Sequence, residues 1–139
     1  GLPVFEDAAN TENAMKGGYV VSDSENAQVL LMASGSEVHI AMEAAKILER
    51  DGVATRVVSM PSMELFEQQS MDYKESVIPP SIKARVAVEA GVDATWQKYL
   101  NGGEFVGMST FGASAPYKEL YQHFGITADV VVEEALKQL

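Results

Sequence analysis

Apolar residues along the chain fall into short continuous runs, and stretches with helical spacing separate these runs. Residues 27–33 (AQVLLMA) are apolar without alternation, which is typical of a strand that is buried on both faces. In the segment that follows, Val38, Met42 and Ala45 recur at helical spacing, and Gly52 stands where a C-terminal helix cap is expected. A buried strand followed by an amphipathic helix is the basic unit of an α/β sheet.

The same alternation continues along the rest of the chain. Further buried strands are predicted in the runs VATRVVSMP, ARVAVEAG and EFVGMST, and a helical segment is predicted after each of them. The first short run, YVVSD, is more polar, so we expect this strand at an edge of the sheet. The last helix is expected to begin with Asp129 as a possible N-cap. Together these elements predict a mostly parallel sheet that is covered by helices on both faces.

The composition narrows the classes of function. The chain has 139 residues, which fits one domain of ordinary size. It has no cysteine, which excludes disulfides, thiolate catalysis and cysteine-based zinc sites and fits a cytoplasmic location. The net charge of −10 makes nucleic acids and anionic membranes poor partners. The apolar runs, such as Val29–Ala33, are too short to cross a membrane.

The beginning of the chain differs from the rest. The chain starts with Gly1 rather than Met, so we expect either that a tag was removed or that the chain is a piece of a longer protein. Residues 1–16 show no clean periodicity and are rich in Asn, Glu, Asp and Ala. They are predicted to be an incoming linker, followed by a single domain over residues 17–139.

The turn after the first buried strand, residues 33–37 (ASGSE), has three interpretations. Ser34 and Glu37 fit the capping-box pattern, and Ser36 is an alternative cap. The helix N-terminus could instead hold an anion weakly, although Glu37 would repel it. A serine nucleophile is the least favoured interpretation, because no base is arranged for it and the motifs of serine hydrolases are missing. Capping is therefore the simplest prediction.

Other polar residues also have a structural interpretation beside a functional one. His39 is predicted to be an exposed residue in a first helical turn, and His123 is predicted to complement the dipole at a helix C-terminus. Two histidines on different elements do not make a metal site. Asp93 is predicted to cap the helix that follows it, whereas Glu89 could bind a hydroxyl or an amine.

If the predicted strands are neighbours, their carboxyl ends form one crevice, which is where open α/β sheets bind ligands. The turn that contains Thr110, Phe111 and Gly112 could then be an interface or a lid. We therefore keep small-ligand binding at this crevice as an alternative function. The candidate residues are Ser34, Gly35, Ser36, Glu37, Ser59, Glu89, Gly91 and Thr110.

Five segments occur in series along the chain: ASGSEVHIAMEAAKIL, ATRVVSMPSMELFEQQ, YKESVIPP, ARVAVEAG and FVGMSTFGASAP. Together they resemble the C-terminal domain of transketolase. The resemblance extends from about Gly17 onward, and residues 1–16 resemble the linker that leaves the preceding, pyrimidine-binding domain. It implies a three-layer αβα fold with a mostly parallel five-stranded mixed sheet and one antiparallel edge strand.

The resemblance also implies an activity for the whole enzyme. Transketolases transfer a two-carbon ketol unit between sugar phosphates of the pentose phosphate pathway, using thiamine diphosphate and a divalent metal, Mg²⁺ or Ca²⁺. The cofactor site of the family lies between two earlier domains, and its glycine and asparagine motifs are missing here. No catalytic, cofactor-binding or metal-binding residue can therefore be assigned. We expect a structural domain that packs on the preceding domains of its own chain, supports a homodimer and is inactive alone.

Overall fold

The computed structural model describes residues 12–89, 95–107 and 126–139. The strands are β1 (Tyr19–Ser22), β2 (Val29–Ala33), β3 (Thr55–Ser59), β4 (Ala84–Glu89) and β5 (Glu104–Gly107). The helices are α1 (Val38–Arg50), α2 (Met63–Glu67), α3 (Met71–Val77), α4 (Gln97–Leu100) and α5 (Ala128–Leu136). A single 3₁₀ turn, Gly35–Glu37, precedes α1.

The five strands form one mixed sheet in the order β1-β3-β2-β4-β5. β1 runs antiparallel to β3 at one edge, and every other pair of neighbours is parallel. β2 lies at the centre, where Leu31 is opposite both Val57 and Val86. Every residue of β2 is fully buried, as its unbroken apolar run predicts. The mostly parallel sheet with a polar, antiparallel edge strand is thus confirmed.

Helices cover both faces of the sheet, because alternate residues of each strand point in opposite directions. Leu31 belongs to a core that α1 and α5 cover, together with Leu48 and Val131. Leu30 and Met32 belong to a second core, in which residues from α2, α3 and α4 take part. The described residues therefore form three layers, with helices on either side of the sheet.

The C-terminal end of α1 has the structure that Gly52 predicts. Gly52 adopts a left-handed backbone with φ +85°, which costs little for a residue without Cβ. Its N–H donates to the carbonyl of Glu49 at 3.0 Å, and the N–H of Val53 donates to Leu48 at 2.8 Å. These two bonds form a Schellman motif, which satisfies carbonyls that the helix end leaves unpaired.

The N-cap predicted for the last helix is wrong. Thr127, not Asp129, caps α5, because the Thr127 side chain accepts a hydrogen bond from the N–H of Val130 at 3.3 Å. Asp129 lies inside the first turn, where its charge still complements the helix dipole.

Arg56 connects the sheet to two other segments. Its Nε and Nη2 donate to the two carboxylate oxygens of Asp23 at 3.1 and 2.9 Å. Its Nη1 donates to the carbonyls of Ser76 and Val77 at 2.6 and 3.1 Å, at the C-terminal end of α3. A cation in this position satisfies helix carbonyls that would otherwise lack a donor.

A side chain completes the hydrogen bonding of β4 at its first residues. β5 pairs with β4 only from Val86 onward. The N–H of Arg85 donates to Oε1 of Gln138 at 3.0 Å, and Nε2 of Gln138 donates to the carbonyl of Arg85 at 2.9 Å. The amide of Gln138 thus replaces the missing strand partner.

Within the described ranges, no helix combines the length and the apolar character that crossing a membrane requires.

Candidate functional site

The sheet brings some of the candidate crevice residues to one edge. Ser34 directly follows β2, and Ser59 and Glu89 are the last residues of its two neighbours, β3 and β4. Ala33 lies opposite Ser59 on one side and Val88 on the other, so the three strands end at the same level. Four residues that the sequence singled out lie outside the described residues: Gly91, Asp93, Thr110 and His123. The turn that contains Phe111 and Gly112 also lies outside them. A ligand site at this edge remains a prediction.

The capping box predicted for Ser34 and Glu37 is wrong. The Ser34 side chain makes no capping hydrogen bond, and its backbone carbonyl accepts the N–H of Glu37 at 3.1 Å instead. The reason is Gly35, which adopts φ +49° and starts a 3₁₀ turn before the α-helix. Glu37 therefore becomes the residue that precedes α1, and it is only 5% exposed.

His39 lies in the first turn of α1 and is exposed, as predicted. Its Nδ1 contacts the backbone carbonyl of Ser36, in the preceding turn. This contact holds the imidazole against its own helix.

Glu89 has a structural partner that the sequence did not indicate. Nε1 of Trp96 donates to Oε2 of Glu89 at 3.0 Å, and Trp96 is fully buried. A buried indole N–H needs an acceptor, and Glu89 provides it. One carboxylate oxygen of Glu89 is therefore held by the core, which fixes the position of the carboxylate at the end of β4.

A second feature lies near the opposite, amino end of β4. A cavity of about 280 Å³ opens between α2, α3, α4 and the segment that precedes β4. Arg85 and Glu89 are four residues apart along β4, which is about 13 Å. The cavity is therefore separate from the carboxyl edge. Its charged lining consists of Lys74, Glu75, Lys83, Arg85 and Lys98.

Arg85 lines this cavity and is not among the residues that the sequence predicts for a site. Its side chain is 6% exposed, and backbone carbonyls of the neighbouring segments hold it. Nε donates to Ile82 at 2.8 Å, Nη1 to Tyr99 at 2.8 Å and Nη2 to Pro79 at 3.1 Å. Burial lowers the pKa of the guanidinium, which nevertheless stays charged. An arginine inside the apolar run ARVAVEAG was the available signal, because buried cations need partners.

Glu67 lies beside the cavity and links three side chains. Oη of Tyr99 donates to its Oε2 at 2.5 Å, and Nζ of Lys98 and Lys74 lie 3.1 and 3.5 Å from its Oε1. The hydrogen bond from Tyr99 is the main reason why the pKa of Glu67 is lowered, and the two lysines add to this effect. Burial and the Glu67 charge raise the pKa of Tyr99 above its ordinary range.

Within the part of the chain that the structure describes, no three His, Cys, Asp or Glu residues lie close enough to hold a metal ion. No described residue is therefore assigned as a ligand of the divalent metal that the resemblance implies, and no step of the reaction is assigned to the described residues.

Comparison with known proteins gives a consistent result. The family of the transketolase-like TK C-terminal domain matches residues 17–127. Transketolase 2 of Aliivibrio fischeri is 46% identical over 135 residues, which are 96% of this chain and 20% of that protein. The solved transketolase from Leishmania mexicana has a TM-score of 0.85 and 44% identity, over 91% of this chain and 18% of that chain.

A shorter solved chain, described as a split gene transketolase in an inactive beta4 tetramer, matches with a TM-score of 0.68 and 25% identity. The match covers 90% of this chain and 43% of that chain. The present chain spans about one fifth of the length of the curated relatives it matches. Because the family match covers most of its residues and the fold agrees, the chain belongs to the transketolase family, in which it corresponds to the C-terminal domain.

Proposed function

We propose that this chain serves as the C-terminal domain of a thiamine-diphosphate-dependent transketolase, which transfers a two-carbon ketol unit between sugar phosphates. The observation that carries the proposal is the match of residues 17–127 to the C-terminal domain, combined with coverage of only one fifth of the relatives. The other parts of such an enzyme would bind the cofactor, which supplies the chemistry. A cytoplasmic location is part of the proposal, and the absence of cysteine supports it.

The role of the domain in that enzyme is structural: it packs on the preceding domains and supports a homodimer. The coverage of the relatives supports this role, because the chain spans only about one fifth of their length and the rest of such an enzyme would lie beside it.

We further propose that the chain is inactive by itself. One observation supports this. The related split gene chain is named as an inactive tetramer, although it is about twice as long as the matched region.

A ketol-transfer assay tests the proposal in two steps. The purified chain is mixed with thiamine diphosphate, Mg²⁺, a ketose phosphate and an aldose phosphate, and we expect no product above the blank. The chain then replaces the C-terminal domain of the Leishmania mexicana transketolase, and we expect a dimeric, active chimera. The control is the same enzyme without any C-terminal domain. Turnover by the chain alone, or a folded dimeric chimera no more active than the control, would contradict the proposal.

A second candidate function is small-ligand binding at the carboxyl edge of the sheet. The observation that favours it is that Ser34, Ser59 and Glu89 stand at the ends of three adjacent strands. An amide-resolved NMR titration with pentose phosphates tests it. Joint, saturable shifts at these residues that Glu89→Gln abolishes would support a site, provided that the melting curve is unchanged. Glu43→Gln, an exposed change on α1, is the control.

A further inference from the structure

Positive charge is concentrated in the cavity beside β4. The chain has ten lysines and arginines and a net charge of −10, yet four of its cations line this one cavity: Lys74, Lys83, Arg85 and Lys98. We propose that the cavity binds a small organic phosphate as a dianion. The proposal is independent of the function proposed above, because the cavity lies away from the carboxyl edge and involves no ketol transfer.

The first argument is the buried charge of Arg85. A buried cation is normally paired with an opposite charge, because removing it from water is costly. Among the described residues, however, Arg85 has only neutral backbone carbonyls as partners. These carbonyls use three of the five N–H donors of the guanidinium. An anion in the cavity would supply the missing negative charge.

The second argument is the balance of charge around the cavity. Two carboxylates oppose the four cations: Glu75 in the lining, and Glu67, which Lys74 and Lys98 share. Lys83 forms no ion pair with any described residue. Two positive charges therefore remain uncompensated. A phosphate monoester carries close to two negative charges at neutral pH and offers three acceptor oxygens, so it matches this excess.

The third argument concerns size and apolar surface. At about 280 Å³ the cavity is slightly smaller than most ligand sites, so its size matches a phosphate with a small organic part better than a dinucleotide. Phe66, Ile78, Pro80 and Tyr99 add apolar wall to the charged lining. This wall would contact carbon atoms of the ligand, which inorganic phosphate and sulfate lack.

Isothermal titration calorimetry of the 139-residue chain tests the proposal, with NMR to locate the shifts. The probes are glycerol 3-phosphate, inorganic phosphate and sulfate. We expect saturable binding of glycerol 3-phosphate with a Kd in the millimolar range. This Kd should be at least about threefold lower than the Kd of either inorganic anion. The amides of Lys74, Lys83 and Lys98 should shift together. Equal binding of all three probes, or no saturation, would overturn the proposal.

A matched pair of double variants separates this site from general electrostatic attraction. Lys83→Gln with Lys98→Gln removes one unpaired and one ion-paired cation from the cavity, and we expect at least about tenfold weaker binding. Lys46→Gln with Lys137→Gln removes the same charge elsewhere, since Lys137 pairs with Glu134 at 3.1 Å and Lys46 has no described ion pair. This control should bind normally. An equal loss in both variants, with unchanged melting curves, would contradict the cavity as the site.

Discussion

The hydroxyl of Tyr99 offers a direct test of the interactions beside the cavity. The change Tyr99→Phe removes one oxygen and keeps the ring, which packs edge-on against Phe66 with centroids 5.7 Å apart. In the wild-type chain the hydroxyl donates to Oε2 of Glu67 at 2.5 Å. Among the residues that the structure describes, the variant leaves this carboxylate with two lysines as partners. The effect on stability therefore reports the hydrogen bond rather than the packing.

The magnitude follows from the burial of the two partners. A hydrogen bond to a charged group contributes about 1.5–3 kcal/mol to the free energy of unfolding. The Glu67 side chain is 35% exposed, so water can replace part of the lost bond. We therefore expect a loss of about 1–1.5 kcal/mol at pH 7. For a chain of this length, such a loss corresponds to a decrease in Tm of about 3–6 °C.

The loss should depend on pH in a defined direction. The hydrogen bond from Tyr99 is the largest reason why the pKa of Glu67 lies below its ordinary value of 4.5. A carboxyl whose pKa is lower in the folded state stabilises the fold above its unfolded pKa, and this contribution is lost as the pH falls through the folded pKa. The difference in the free energy of unfolding between wild type and variant should have its full size at pH 7 and should decrease below about pH 4.5.

Urea unfolding followed by the fluorescence of Trp96 measures the difference, because this tryptophan is the single one in the chain and is fully buried. The matched control is Tyr73→Phe. Its hydroxyl donates to the neutral carbonyl of Gly18 at 2.7 Å, and its ring also packs against Phe66. The loss of stability that Tyr73→Phe causes should be the same at pH 7 as at pH 4. A Tyr99→Phe loss below about 0.3 kcal/mol, or one that does not change with pH, would refute the reasoning.

Three further substitutions are expected to lower the Tm in thermal unfolding. Gly103→Ala should cost more than about 2 kcal/mol, because its Cβ would lie 2.3 Å from the carbonyl oxygen of Arg85; a neutral result would show that the backbone can yield. Arg56→Met should cost about 2–3 kcal/mol, because it removes both bonds to Asp23 and the donors to the end of α3; a loss no larger than that of Lys46→Met would contradict this. Leu31→Ala should cost about 3–4 kcal/mol, and a loss below about 1.5 kcal/mol would mean that the core closes around the gap.

The sheet could be predicted because its signals are local. The apolar run of β2 indicates a strand buried on both faces, and the glycine after α1 indicates the end of a helix. The more polar composition of β1 also indicated its place at the edge. Each of these properties is written within a few consecutive residues, so the sequence alone was sufficient.

The helix starts were predicted less well, because the same residues fit two local geometries. Ser34 and Glu37 have the spacing of a capping box, but Gly35 takes a left-handed conformation and turns this segment into a 3₁₀ turn. At α5, Thr127 and Asp129 are both good capping residues, and the backbone conformation selects Thr127. Sequence patterns do not contain this information.

The cavity could not be predicted, because its residues come from separate segments. Lys74 belongs to α3, Lys83 precedes β4, and Lys98 belongs to α4. Only the packing of these segments over one face of the sheet brings their charges together. Arg85 alone carried a signal, as a cation within an apolar strand, and its meaning depends on those neighbours.

The amide of Gln138 has a consequence for how copies of this chain behave toward one another. Open backbone groups along a strand are a template on which another chain can add its own strand, and this is a common start of aggregation. The segment of β4 before β5 begins would expose such groups at Arg85, but Gln138 occupies both the donor and the acceptor. One side chain from the last turn of the described chain thus closes the end of the ladder, so intermolecular β-sheet growth has no starting point there.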